Sequence, residues 1–306
     1  MLQMKNLEKT WDVIIIGGSF SGLAAALALG RSIRNVLVID DGKPCNRQTP
    51  HAHNLLTHDG KPPFEIKLLA KSELSHYPTV QFLDSKAIKV SRSNSNFELK
   101  TENGENHFAR KLLFATGVTD VMPDIPGFKE SWGISVFHCP YCHGYEVRDQ
   151  KLGVFANGDI GYESIKLISQ WSKNLTFFTN GQSSLSKEQN WKLNEKKIKI
   201  IETEISSIEN NNGYLTKILL KDGKIEPLDA LMARVPFVQH SHLPLDLGVE
   251  LDEIGYIKVD GFNKTNLKGV YAAGDNTTML RSLAAAIASG TLSGAMINKE
   301  LIGDDF

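Results

Sequence analysis

Apolar and polar positions along the chain resolve into three related passages. In "DVIIIGGSFSGLAAALALGRSIRNVLVID", residues 12–40, the unbroken apolar run from Val13 to Ile16 predicts a strand buried on both faces. A glycine-rich turn follows it, then an alanine-rich helix, then a second strand that ends at Asp40. This is a βαβ unit. Gly17 permits the tight turn, Gly22 lets the helix pack closely on the strand, and the helix N-terminus offers backbone N–H groups to a pyrophosphate. Asp40 stands 40 − 17 = 23 positions beyond the first glycine, where a carboxylate can accept from ribose hydroxyls. The middle glycine of the G-x-G-x-x-G pattern is replaced by Ser19.

A degraded copy follows at 151–180, "KLGVFANGDIGYESIKLISQWSKNLTFFTN", with Ala156, Gly158 and Gly161 at the three motif positions. "GVYAAGDNTTMLRS" then repeats strand and turn ahead of an Ala/Gly-rich helix, and Gly274-Asp275 can bring a carboxylate to a polyol. The alternative for Asp275 is a simple helix cap. Proline-marked crossings at "TDVMPDIPG" and "VPFVQHSHLPLDLG" bracket the middle copy. The expected fold is therefore α/β, with two Rossmann-like dinucleotide-binding domains, the second inserted into the first. Residues 1–119 and 241–306 form the discontinuous domain and 120–240 the insert, with both crossings able to act as hinges.

Composition narrows the function. At 306 residues and 41% hydrophobic content the chain can bury a core and suits two domains. A formal net charge of -1 without a long Lys/Arg run excludes a nucleic-acid footprint or a membrane-surface patch. The first apolar run, at Val13, is too short for a signal peptide or a spanning helix, so a cytoplasmic protein is expected. Of three cysteines, Cys45 stands apart as an incidental loop thiol, while Cys139 and Cys142 form a Cys-x-x-Cys pair within "HCPYCH". That hexapeptide has zinc, haem and redox readings. Zinc lacks a second ligand pair, and haem attachment goes with exported proteins, so no metal site is expected. In the redox reading the two thiols close a small disulfide, and Pro140 starts a helix whose dipole favours a thiolate.

The order "IIIGGSFSGL", "FATG" at 114–117, "CPYC" at 139–142, the second dinucleotide motif, then "YAAGD" at 271–275 resembles the low-molecular-weight thioredoxin reductase family nearly end to end. The resemblance implies FAD on the first domain, lined by Gly17, Gly18, Ser19, Gly22, Asp40, Thr116, Gly117, Gly274, Asp275 and Ser282. It also implies a homodimer whose Cys142 is the flavin-side thiol and whose Cys139 exchanges with a disulfide or dithiol substrate. Domain rotation would carry the pair between flavin and substrate. The family's acid after the second cysteine is His143 here, an imidazole able to move a proton near neutral pH. His138 is a polar neighbour or a second base, and His51 and His53 of "TPHAHNLLTHDG" are candidates for the substrate pocket.

The electron partner is the open point. NADPH-using relatives carry a basic cluster after the second strand of the insert, whereas this chain has "FFTNGQSSLSK", with Lys187 its first cation. Losing two charge-assisted hydrogen bonds of roughly 1.5–3 kcal/mol each lowers preference for NADPH by on the order of a hundredfold or more. NAD(P)H is thus weakly supported. The resemblance extends to dithiol oxidases of the same family, which pass electrons through FAD to oxygen and often carry a histidine after the second cysteine. A flavin-binding electron carrier or thiol redox sensor is a third reading.

Overall fold

The computed structural model describes residues 10–93 and 96–306. Two compact units emerge. The first gathers the segment ending at Arg47 with Phe64–Thr119 and Val238–Phe306, and the second gathers Gln48–Pro63 with Asp120–Phe237. Residues 48–63 thus cluster with the second unit although they precede it in sequence by more than fifty positions.

In chain order the elements are β1 (Thr10–Ile16), α1 (Phe20–Arg31), β2 (Val36–Asp40), α2 (Pro63–Leu74), β3 (Val80–Asp84), β4 (Ala87–Ser93), β5 (Asn96–Thr101), β6 (Asn106–Phe114) and β7 (Val118–Asp120). Then come α3 (Phe128–Ser131), β8 (Val136–Phe137), α4 (Pro140–His143), β9 (Leu152–Phe155), α5 (Gly158–Ile168), β10 (Leu175–Phe178), α6 (Lys187–Glu195), β11 (Lys199–Ile201), β12 (Ile205–Asn211), β13 (Tyr214–Leu220), β14 (Ile225–Pro227) and β15 (Ala230–Ala233). The chain closes with β16 (Phe237–Gln239), α7 (Leu243–Leu247), β17 (Val270–Ala272) and α8 (Leu283–Asp305).

The first unit is built on a mixed seven-stranded sheet, ordered β3-β2-β1-β6-β5-β4, with β17 also paired to β6. Its central strands run parallel, Val13 beside Val36 and Lys111, and the β4–β5–β6 edge is antiparallel. Strand alternation divides the apolar run of β1 between two cores. Val13 and Ile15 pack with Leu23, Leu29, Ile297 and Leu301 from α1 and α8, while Ile14 and Ile16 pack with Phe97, Phe114 and Leu243 on the other face. That explains why the run lacks a polar member: no face of this strand meets water.

The second unit has a parallel five-stranded sheet, β11-β10-β9-β15-β8, and an antiparallel β12-β13-β14 sheet. Leu152 and Val154 of β9 share a core with Ile165 and Ile168 of α5. Phe178 and Leu231 share another with Ile208 and Ile218 of the antiparallel strands. Parallel strands joined by helices, twice over, give the α/β architecture typical of FAD- and NAD(P)-binding Rossmann domains. The strands at the two crossings, β7 and β16, pair with each other. No described helix is long and apolar enough to cross a membrane.

Candidate functional site

In the first unit the glycine-rich turn between β1 and α1 is shaped by backbone approach. Gly17 has φ +106, and a Cβ there would lie 2.2 Å from the Ala115 carbonyl oxygen. A Cβ on Gly22 would lie 1.9 Å from the Gly17 carbonyl oxygen, so the helix can begin this close to the strand only without a side chain. Ser19 occupies the N-cap of α1 in extended conformation, yet its side chain makes no cap hydrogen bond and the first turn holds no acid. The leading N–H groups of this 12-residue helix are therefore left open to an anion. This is a cradle that fits the pyrophosphate of FAD.

Asp40 ends β2 beside that turn. Burial alone would raise its pKa, but the Lys67 ammonium at 2.8 Å and the Gly18 N–H outweigh it and hold the carboxyl below its ordinary range. Thr116 and Gly117 follow β6, and Thr116 Oγ1 accepts from Asn276 Nδ2 at 3.4 Å. Gly274 and Asp275 follow β17, where the Gly274 N–H donates to Ser289 Oγ at 3.2 Å. Asp275 is not a helix cap, because α8 starts only at Leu283. Ser282 is that cap, its hydroxyl accepting from the Ala285 N–H. Cys45, read from sequence as incidental, places its sulfur 3.9 Å from Asp275 Oδ2.

Sequence reasoning missed two further residues of this unit. Asn276 is fully buried and donates to the Phe114 carbonyl, and Gln239 donates to the carbonyls of Gly255 and Asn276. Among the described residues, neither amide oxygen has a hydrogen-bond partner. Two buried acceptors so placed suit a ligand rich in O–H or N–H donors. The position of Asn276 directly after Gly274-Asp275 was the available signal.

In the second unit, Cys139 and Cys142 are joined as a disulfide with Cα atoms 5.4 Å apart. Pro140 does start a helix, but α4 is a single turn from Pro140 to His143, so the expected dipole is that of one turn. His138 stacks on Trp132, ring centroids 6.0 Å apart, as a polar neighbour held by an aromatic face. His143 lies with its ring 5.6 Å from that of Phe137. Burial first, and His53 second, push its pKa down to about 4, so it is a neutral imidazole at neutral pH. His53 belongs to this unit: its ring nitrogens stand 3.6 Å from Asp59 Oδ1 and 3.5 Å from Glu146 Oε1. His51 bonds the Gly60 carbonyl at 3.0 Å.

The second glycine-rich turn, between β9 and α5, is occupied by its own residues. Asn157 caps α5: its Oδ1 accepts from the N–H groups of Gly158 and Ser184 and from the Ser184 hydroxyl, at 2.8 to 3.2 Å. Its Nδ2 donates to the Gln182 carbonyl at 2.9 Å. Asp159 sits in the first helical turn, tied to Gln189 at 2.7 Å, and the Glu202 carboxylate accepts from the Ser183 N–H. Of the serines after β10, Ser186 is consumed by the capping box of α6 and Ser184 by Asn157. The first N–H of this helix end is thus taken by a side chain, and the turn is bordered by the Asp159 and Glu202 carboxylates.

Known proteins resemble this chain along its length. The profile of the pyridine nucleotide-disulphide oxidoreductases matches residues 11–290. The chain is 34% identical over 310 residues to a protein of Claviceps purpurea named thioredoxin reductase tcpT, spanning 96% of this chain and 95% of that one. It is 30% identical to thioredoxin reductase sirT of Leptosphaeria maculans, spanning 99% and 98%. Among solved structures, a putative thioredoxin reductase TrxB from Bacillus anthracis matches with a TM-score of 0.93 at 31% identity, over 97% of this chain and 100% of that one.

Proposed function

Because this chain belongs to the pyridine nucleotide-disulphide oxidoreductase family, and within it to the low-molecular-weight thioredoxin reductase-like enzymes, we propose that a substrate dithiol is its electron donor and that no nicotinamide nucleotide is needed. The enzyme is an FAD-dependent oxidoreductase that exchanges electrons between flavin and a disulfide or dithiol. What carries the proposed direction is the filled second turn, where Asn157 occupies the helix end that a nucleotide phosphate would need.

Gly17, Gly18, Ser19, Gly22, Asp40, Thr116, Gly117, Gly274 and Asp275 hold the flavin in this reading, Ser282 contributing through the helix it caps. Neutral His143 takes the proton of a substrate thiol. The sulfur then attacks Cys139, forming a mixed disulfide and releasing Cys142 as thiolate. The second substrate thiol attacks the mixed disulfide, leaving an oxidised substrate and two reduced cysteines. Bound FAD would supply the two-electron acceptor that the reduced Cys139 and Cys142 thiols need in order to close again as a disulfide, molecular oxygen being the final oxidant in this reading. Supported by the family resemblance, we further infer a cytoplasmic homodimer in which 120–240 is a domain inserted into 1–119 and 241–306. Its crossings β7 and β16 then serve as hinges.

The test is an anaerobic titration of the yellow protein with NADH, NADPH and dithiothreitol, followed by admission of air. The expected result is bleaching by dithiothreitol alone and peroxide on reoxidation. Bleaching by NADPH at a rate equal to or above that with dithiol would overturn the proposed direction and return the chain to the reductases.

A further inference from the structure

Helix α2 delivers two ammonium groups to the carboxyl ends of the paired strands β2 and β3. Ile66 and Leu74 anchor it in the core, and Lys67 and Lys71, one turn apart, lie on the same side of the helix. Lys67 Nζ donates to Asp40 Oδ2, at the end of β2, at 2.8 Å. Lys71 Nζ lies 3.9 Å from Asp84 Oδ1, at the end of β3, and 5.3 Å from the centre of the Phe82 ring. The two pairs differ in burial. Asp84 is 88% exposed, the condition in which an ion pair contributes little, whereas the Lys67 and Asp40 side chains are 16% and 13% exposed. Asp40 also receives the Gly18 N–H from the glycine-rich turn, and a Cβ on Gly18 would lie 3.0 Å from Asp40 Oδ2.

Resting on the reading that Asp40 accepts the adenosine ribose hydroxyls of FAD, we propose that Lys67 is a positioning residue for the cofactor, holding Asp40 ionised and turned so that its remaining lone pairs face the ribose. An ionised carboxylate accepts about four hydrogen bonds, so one ammonium and one N–H leave capacity for a pair of hydroxyls. Burial drives such a group towards its protonated form, which offers fewer acceptors. The bond from Lys67 opposes that drive, and the carboxyl stays below its ordinary range. The charges around Asp40 agree with this role. Lys67 and, farther off, Lys71 act on it from α2. On β3, Asp84 stands in register with Asp40 but is exposed and faces Lys71, and Asp41, next in sequence, stands 4.0 Å from Lys43. Lys67 itself makes no contact with the cofactor in this scheme and acts through Asp40.

The test measures, by quenching of flavin fluorescence, how tightly the whole chain, freed of flavin, binds FAD and an FAD analogue lacking the adenosine 2′- and 3′-hydroxyls. The readout is the preference for FAD over the analogue, because damage common to both ligands cancels in that ratio. Wild type should prefer FAD by about 10–100-fold, as expected of a hydrogen bond to a charged group. Lys67→Met keeps the stem, removes the ammonium and should cut the preference by about fivefold at pH 7. Lys67→Arg should restore it to within about twofold of wild type. From pH 7 down to pH 5 the wild-type preference should hold, because Asp40 stays ionised, whereas that of Lys67→Met should fall further as burial, now less opposed, lets the carboxyl take up a proton.

A preference in Lys67→Met within about twofold of wild type at both pH values overturns the proposal, even where both ligands bind more weakly, since the pair is then structural only. A Lys67→Arg preference no better than that of Lys67→Met overturns the role of the charge. If Lys67→Met does not fold, Lys67→Gln, an uncharged donor, is read by the same criterion. Asp40→Asn tests the underlying reading separately: it should lower the preference at least as far as Lys67→Met does, and adding Lys67→Met to it should cost nothing more. A wild-type preference surviving in Asp40→Asn removes the ribose role of Asp40 and Lys67 with it. A preference lost in Asp40→Asn but kept in Lys67→Met removes only Lys67.

Discussion

Lys111 is a lysine buried to 4% exposure on the central strand β6, and replacing it should loosen the helix that closes the flavin-binding unit. Two residues on, Leu113 shows which face this is: it packs with Leu29, Ile297 and Leu301, the core under α1 and α8. The ammonium stands 2.7 Å from Glu300 and 2.6 Å from Asp304 of α8, and the Tyr271 hydroxyl donates to Glu300 at 2.6 Å. Burial would raise the Glu300 pKa, yet the bonds from Lys111 and Tyr271 prevail and hold it at about 2. Lys111→Met keeps the stem and removes the charge. Breaking a buried pair costs about 3–5 kcal/mol, and because Glu300 retains Tyr271 and Lys264 while Asp304 is partly exposed, about 2–3 kcal/mol is expected.

Linkage provides an independent figure for Lys111→Met. The carboxyl titrates lower in the folded than in the unfolded chain, so its stabilisation is present above 4.5 and is lost as pH falls towards 2. The difference, 4.5 − 2 = 2.5 units, sets a ceiling of about 3 kcal/mol once partial solvent access is allowed for. For a chain of this length that lowers Tm by roughly 5–10 °C. Melting curves by circular dichroism at pH 7 should show that loss, and at pH 3 the gap between wild type and variant should narrow by about half, because wild type has then surrendered much of the same term. A variant melting within about 1 °C of wild type at pH 7, or a gap that widens in acid, would refute the reasoning.

Three further outcomes are expected. Gly22→Ala, whose Cβ would enter the Gly17 carbonyl, should yield protein that binds little or no flavin, read from the absorbance ratio of flavin to protein. Cys142→Ser should retain flavin but lose bleaching by dithiothreitol, and unchanged bleaching would exclude the cysteine pair as the electron path. His143→Asn should slow dithiol-driven flavin reduction by about 10²–10⁴-fold at pH 7 while leaving flavin content unaltered, and stopped-flow traces equal to wild type would remove it as the base.

Much of the framework was legible because it depends on local pattern. The run from Val13 to Ile16, the small residues after it and Asp40 at the end of β2 are consequences of one strand, one turn and one helix packing together. The Cys-x-x-Cys pair was legible because closing the disulfide needs only three positions of separation. What escaped was non-local. Nothing near Gln48–Pro63 in sequence announces that this stretch clusters with the second unit, or that Glu146 and Asp59 face His53 from opposite sides. Asn276 and Gln239 were missed because their meaning lies in burial without an acceptor's partner, which composition does not reveal. Ser282, assigned to the cofactor from the resemblance, is also the N-cap of α8, a role that the sequence pattern around it did not announce.

The two glycine-rich turns show how a duplicated frame can keep its shape while its chemistry diverges. Both place a parallel strand ahead of a helix, and both hold a small or polar residue at the N-cap, Ser19 in one and Asn157 in the other. The difference lies in one side chain's reach. Ser19 leaves its helix uncapped, so the field of α1 is available to an incoming anion. Asn157 turns its oxygen onto the first N–H of α5 and onto Ser184, so a ligand reaching that helix end meets a bond already made, with Asp159 in the first turn. A protein binding two dinucleotides needs both helix ends open. Under the proposed direction of electron flow, with a dithiol as donor, only the first need be open.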